Sequence, residues 1–217
     1  MTDKIKYCIW DIGQTIYPYT LEPFNEWAKQ HTTRPERYTE SHNIFKFDYK
    51  PYMTSKIDFL TFCHSICDNY DIPYRNTTQQ EINKALHAGV GPVYPDTIAA
   101  MQKMKDNNIQ NGILSNALPI LHQTVKLNDL ILDKNIFTSY NLRLLKPDPK
   151  IFNAMRSKLG CKFNQIIFID NKSENVKAAT KLGMIGVLCR HGQAPLVLEQ
   201  ALNPLFINYI QNGKDFS

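Results

Sequence analysis

The chain has 217 residues, 43% of them hydrophobic, and a formal net charge of +5. That is apolar material for one substantial core and a small accessory domain. No run of about 18 uncharged apolar residues offers a membrane span, and the dispersed lysines form no basic stripe suited to nucleic acid. Five scattered cysteines, an odd number without paired-ligand spacing, predict reduced thiols and a cytoplasmic setting.

In chain order, the opening Met-Thr-Asp-Lys-Ile-Lys is unlike a secretory signal. Residues 6–10 (KYCIW) read as a buried strand. Residues 16–91 are polar, aromatic-rich and helical in pattern, with helices expected over 23–31, 35–45, 56–70 and 78–88 and breaks at Pro51 and Pro73. So long a segment is no loop. It predicts a helical cap domain inserted after the first strand, with Gly89, Gly91 and Pro92 as the return hinge. Within it Cys63 and Cys67 flank His64, but at i, i+4 in an apolar helix the two thiols predict core packing rather than a metal site.

From residue 92 onward the pattern alternates. Strands are expected over 111–114, 136–139, 165–169 and 185–188, and helices over 96–107, 119–127, 149–159 and 173–182, the last stopped by Gly183. This is βαβ grammar. It predicts an α/β fold, a doubly wound parallel sheet, with residues 1–15 and 92–217 forming the core domain and 16–91 the cap.

In open parallel sheets, ligands bind at the carboxyl ends of the strands. The first strand ends in Asp11-Ile-Gly-Gln-Thr15, the second in Ser115-Asn116, and the fourth in Asp170-Asn171, while Lys146-Pro-Asp-Pro149 opens a helix after the third. A carboxylate can attack a phosphoryl group and split one hard displacement into two. Attack of anion on anion needs a cation between them, so Asp11 and Asp170 would share a Mg²⁺, the ion suited to hard oxygen ligands. Lys146 would neutralise phosphoryl charge and orient Asp11. Ser115, Asn116 and nearby backbone N–H groups would hold a further oxygen, and the loop at Gly13 could present backbone groups to phosphate or metal.

These motifs resemble the haloacid-dehalogenase-like hydrolases with an inserted helical cap. WDIGQT is similar to their nucleophile motif, GILSNA to the second, LLKPDPKIF to the lysine motif, and FIDNKSENVKAATKLGM to the acidic motif with its helix. The likeness covers roughly residues 5–15 and 92–190. It implies Asp11 as nucleophile, Ser115 and Lys146 on phosphate, and Asp170 and Asn171 on the metal side, joined by the Gly13 carbonyl.

Two positions depart from the family. Gly13 stands where phosphatases of the family usually carry a second Asp that protonates the leaving group, a role worth about 10²–10⁴-fold. Asn171 stands where a paired acid is common, so one negative charge is lost beside the metal. The expected function is therefore a Mg²⁺-dependent phosphatase acting on a small phosphorylated metabolite with a less basic leaving oxygen, such as an anomeric sugar or aryl phosphate. Gln14, Tyr17, His31, His42 or His64 are candidates to assist water.

A 2-haloacid dehalogenase with the same nucleophile is the alternative, since halide leaves without protonation. Asp170 and the lack of an aromatic residue at position 13 weigh against it. A binding or regulatory protein with a decayed site is the third reading. Tyr17, Phe24, Trp27, Phe45, Tyr49 and Tyr52 are candidates to line a pocket or to form the cap's own core. No partner macromolecule or membrane is expected, and nothing in the pattern specifies an oligomeric state.

Overall fold

Cys8, Ile9 and Trp10 are inaccessible to solvent, and a strand buried on both faces needs sheet neighbours at both edges. The computed structural model, which describes residues 4–37, 49–118, 127 and 129–189, supplies them. The described elements begin with β1 (Tyr7–Trp10), followed by helices α1 (Glu22–His31), α2 (Lys50–Met53), α3 (Phe59–Asn69), α4 (Thr78–Ala88) and α5 (Pro95–Asp106). Then come β2 (Gln110–Ser115), β3 (Ile131–Thr138), α6 (Ser139–Leu142), α7 (Pro149–Leu159), β4 (Ile166–Asp170), α8 (Ser173–Lys181) and β5 (Ile185–Leu188).

The five strands form one parallel sheet in the order β3-β2-β1-β4-β5. Side chains alternate across it with the period of two that a strand imposes. Trp10, Ile167 and Ile169 join Met101 and Met104 of α5 in one cluster. Ile9, Ile166 and Phe168 join Phe152 and Met155 of α7 in the other. Both faces are thus covered, as the α/β expectation requires.

The helices of residues 22–88 pack on one another through a separate cluster. Phe24, Phe62, Ile66, Ile82 and Leu86 lie at its centre with no exposure, and Tyr52 stacks on Phe62 at 4.4 Å. Cys63 and Cys67 are buried in this cluster, and all five cysteines are buried free thiols. Leu118, just beyond β2, is buried with the same cluster, which seats the helices over the carboxyl end of the sheet. The outgoing and returning chains pair where they meet: Tyr19 bridges Val90 antiparallel, Thr20 N–H donates to the Gly89 carbonyl at 2.9 Å, and Gly91 N–H donates to the Pro18 carbonyl at 2.9 Å.

Several expected boundaries move. The helix expected from residue 56 starts at Phe59, because Asp58 caps it by accepting from the Thr61 N–H at 2.8 Å. Pro51 lies inside the first turn of α2 rather than breaking a helix, a position where its missing N–H costs nothing. The strand expected over 136–139 runs from Ile131 to Thr138. Its edge position leaves residues 132–134 exposed and hides the apolar signal, while Ser139 begins α6. Gln165 closes a 3₁₀ turn ahead of β4. Of the helix expected over 35–45, Pro35–Arg37 is a 3₁₀ turn and the rest, with His42 and Phe45, lies outside the described residues. Nearly all of the helix expected over 119–127 also lies outside them. Among the described residues no helix is long and apolar enough to cross a membrane.

Candidate active site

The register of the sheet assembles the site. Trp10 pairs with Ile169 on one side and Ile113 on the other, so Asp11, Ser115 and Asp170 emerge together at the carboxyl edge. The Asp11 N–H donates to the Ile169 carbonyl at 2.8 Å, which holds the turn at the strand end. Ile12 then closes a tight turn by accepting from the N–H of Ile16 at 2.8 Å. Gln14 takes the left-handed conformation there (φ 63°). Its side chain is tied down by a 2.6 Å bond from Nε2 to the Tyr19 carbonyl.

Lys146 is the hub. Its ammonium donates at 2.7 Å to each of Asp11 Oδ1, Asp170 Oδ2 and the Leu114 carbonyl, spending all three N–H bonds. The residue is 4% exposed. Burial works against its charge, yet the carboxylates of Asp11 and Asp170 outweigh that and hold its pKa above the ordinary lysine value. The loop carrying it is fastened by Asn116, which accepts from the Lys146 N–H and donates to the Lys146 carbonyl, both at 2.9 Å. The expected phosphate contact of Asn116 therefore competes with a structural duty of its amide. Asp148 caps α7 through the Lys150 N–H at 2.9 Å, and Pro149 occupies the first turn.

Asp11 is nearly buried. Its Oδ1 accepts from Lys146 and, at 2.9 Å, from the Ser115 hydroxyl. Its Oδ2 makes no hydrogen bond among the described residues, and the residue borders a polar cavity. Asp170 has no exposure. It accepts from Lys146, from Asn175 Nδ2 at 2.9 Å and from the Lys172 N–H at 2.8 Å, so three of about four lone-pair sites are used. Its carboxyl is pushed up, by burial first, with Lys146 opposing and Asp11 adding. The amino end of α8 adds a favourable dipole beneath it.

The polar cavity holds about 200 Å³ and brings Asp11, Gly13, Ser115, Asn116, Lys146 and Asn171 together on one wall system. Gln14 also lines it, whereas His31 and His64 do not. His31 faces away on α1, stacked on Trp27 at 4.9 Å, and His64 stacks on Tyr74 at 4.0 Å, so neither assists water here. Of the candidate aromatics, Tyr17 and Tyr49 border an adjoining cavity, while Phe24 and Tyr52 fill the helical core. Three lining residues escaped the sequence reading: Tyr19, Lys172 and Asn175. Asn175 sits one helical turn beyond Asp170-Asn171, a spacing that could have flagged it. Tyr19 carried no such signal.

As a cation site, the donor set is oxygen throughout: the Asp11 carboxylate, the Gly13 carbonyl and the Asn171 amide, while Asp170, expected on the metal with them, has no exposure and spends its oxygens on Lys146, Asn175 and the Lys172 N–H. The type fits Mg²⁺. The charge is modest, and among the described residues no group of three or more His, Cys, Asp or Glu gathers around a point.

A family model described as haloacid dehalogenase-like hydrolase matches residues 5–183. An (S)-2-haloacid dehalogenase from Burkholderia cepacia is 29% identical over 106 residues, 47% of this chain and 46% of that protein. A glyceraldehyde 3-phosphate phosphatase from Methanopyrus kandleri is 23% identical over 103 residues, 46% of this chain and 44% of that protein. The chain thus matches about half the length of these curated relatives. Among solved structures, a HAD-family enzyme from Bacteroides thetaiotaomicron superposes with a TM-score of 0.75 at 19% identity, covering 91% of this chain and 99% of that one. The same enzyme has been solved with magnesium, where the TM-score is 0.73 at 20% identity over 88% and 96% of the two chains.

Proposed function

Because the chain belongs to the haloacid dehalogenase-like hydrolases, we propose that it is a Mg²⁺-dependent phosphatase that cleaves a small phosphomonoester through an aspartyl-phosphate on Asp11. The observation that carries this reading is the division of labour at Asp11. One carboxylate oxygen is anchored by Lys146 and Ser115, and the other is left toward a polar cavity. A nucleophile so held is oriented without being consumed by its partners.

In this reading Asp11 Oδ2 attacks phosphorus. Lys146 fixes the attacking carboxylate and offsets charge as the phosphoryl group approaches. The Ser115 hydroxyl holds the same carboxylate and borders the phosphoryl position. Lys172, exposed at the mouth, adds positive charge where a dianion enters. Asp170 keeps Lys146 in place and contributes its own charge from beneath the cavity floor. Asp11, the Gly13 carbonyl and Asn171 would hold Mg²⁺, which when bound neutralises charge between nucleophile and phosphate. The helices of residues 22–88 act as the cap that shields the site from water.

The test is phosphate release from a panel of phosphomonoesters with and without Mg²⁺. Asp11→Asn should lower turnover by about 10⁴-fold or more while leaving the fold intact by circular dichroism. Turnover that survives this substitution sinks the proposal. The alternative of a 2-haloacid dehalogenase is supported by the first of the two relatives and by the absence of an acid at Gly13. Halide release from a 2-haloacid without any metal would favour it.

A further inference from the structure

Two cavities meet at Gly13. Beside the polar one lies a second of about 140 Å³, lined by Ile12, Tyr17, Leu21, Tyr49, Met53 and Leu118. Gly13, Tyr19, Ser115 and Asn116 border both. A Cβ built on Gly13 would meet nothing within 4 Å, and its φ is not among the positive values that favour glycine. Neither packing nor backbone calls for glycine at this position. The missing side chain leaves open the passage from the phosphoryl site into the apolar cavity. Tyr19 borders both cavities, and its hydroxyl is buried with no hydrogen-bond partner among the described residues, an arrangement that carries a cost.

We infer that the leaving group is an aryl alcohol whose ring fills this apolar cavity and whose ester oxygen passes Gly13 to reach the phosphoryl group at Asp11. The inference rests on the phosphatase reading above. A cavity of about 150 Å³ admits a benzene ring. A polyol in the same place would strand its hydroxyls among apolar walls. The chemistry agrees with the shape. A phenolic oxygen ionises near pH ~10, far below an aliphatic hydroxyl, so it departs without the acid that Gly13 cannot provide.

The steps balance. Asp11 Oδ2 bonds to phosphorus, and the phosphorus–aryl oxygen bond breaks with its electron pair on that oxygen. The aryloxide takes its proton from solvent. Water then attacks phosphorus, the pair returns to the Asp11 carboxylate, and the proton released by water goes to solvent. One ester and one water give one phenol and one phosphate.

The experiment compares kcat/KM, with Mg²⁺ present, for phenyl phosphate, glycerol phosphate and acetyl phosphate, the last being an activated acyl phosphate without a ring. Phenyl phosphate is expected to exceed glycerol phosphate by about 10²-fold or more. Met53→Gln should lower kcat/KM for phenyl phosphate about tenfold more than for acetyl phosphate, mainly through KM. Gly13→Asp, for which the space exists, should narrow the gap by raising glycerol phosphate turnover and obstructing the ring. Asp11-dependent phosphate release in which phenyl phosphate is no better than glycerol phosphate, or in which Met53→Gln affects phenyl and acetyl phosphate equally, overturns the aryl assignment alone. No Asp11-dependent release from any of the three overturns the phosphatase reading and the assignment with it.

Discussion

Lys146 shows how much a single buried side chain can be asked to do. Its three N–H bonds join two carboxylates and a strand-end carbonyl, so removing it leaves the fully buried Asp170 and the largely buried Asp11 without their cation. Breaking a buried ion pair by deleting one partner costs about 3–5 kcal/mol. Lys146→Ala is therefore expected to lose stability in that range by urea unfolding as well as activity. Adding Asp170→Asn to that variant should recover part of the loss, because one of the two unpaired charges goes with it. Equal midpoints for wild type and Lys146→Ala would contradict this account. Asp170 makes the same point from the other side. Its oxygens accept from Lys146, Asn175 and Lys172, so its first effect is to position the lysine.

At the scale of single elements, local chemistry sets the ends of the helices that frame the site. Asp58 begins α3 by accepting from the Thr61 N–H, and that bond holds its carboxyl below the ordinary value. A depressed folded-state pKa contributes stability above the unfolded pKa, and this is lost as pH falls through the folded one. Asp58→Ala should therefore lower the thermal midpoint at neutral pH, and the difference from wild type should shrink as pH drops below about 4. A difference that is constant from neutral to acid pH would show that the cap is not the cause. Helix α7 is built likewise, from Asp148, Pro149 and a left-handed Gly160 (φ 63°). Its start delivers Lys146 to the strand ends.

On the scale of the whole molecule, a sheet with two covered faces and a separate helical cluster are joined at a short neck. There Thr20 and Gly91 donate to Gly89 and Pro18 across the two crossing chains. A Cβ on Gly89 would run into the Thr20 backbone carbonyl, so glycine at this point is a matter of close approach. Gly89→Ala should cost about 1–3 kcal/mol and speed amide exchange at Thr20 and Gly91. Unchanged exchange at both amides would show that the neck tolerates a side chain. Leu118 ties the same helical cluster to the end of β2, which is why residues far apart in sequence, Tyr49 and Met53 among them, border a cavity beside Asp11.

By itself, the sequence determined the parallel α/β core and gathered Asp11, Ser115, Lys146 and Asp170 at one edge. Strands buried on both faces read as apolar runs, and in a parallel sheet their last residues must share an edge. It could not place the beginning of β3, because an edge strand exposes residues 132–134, nor locate the start of α3 without the cap at Asp58. Tertiary structure alone decided that Asn116 clasps the Lys146 loop and that His31 and His64 turn away from the cavity. Contacts of this kind join residues whose separation along the chain carries no period. The same holds for Gly13. In sequence it is an absent acid, and only with its surroundings in place does it become the opening between two cavities.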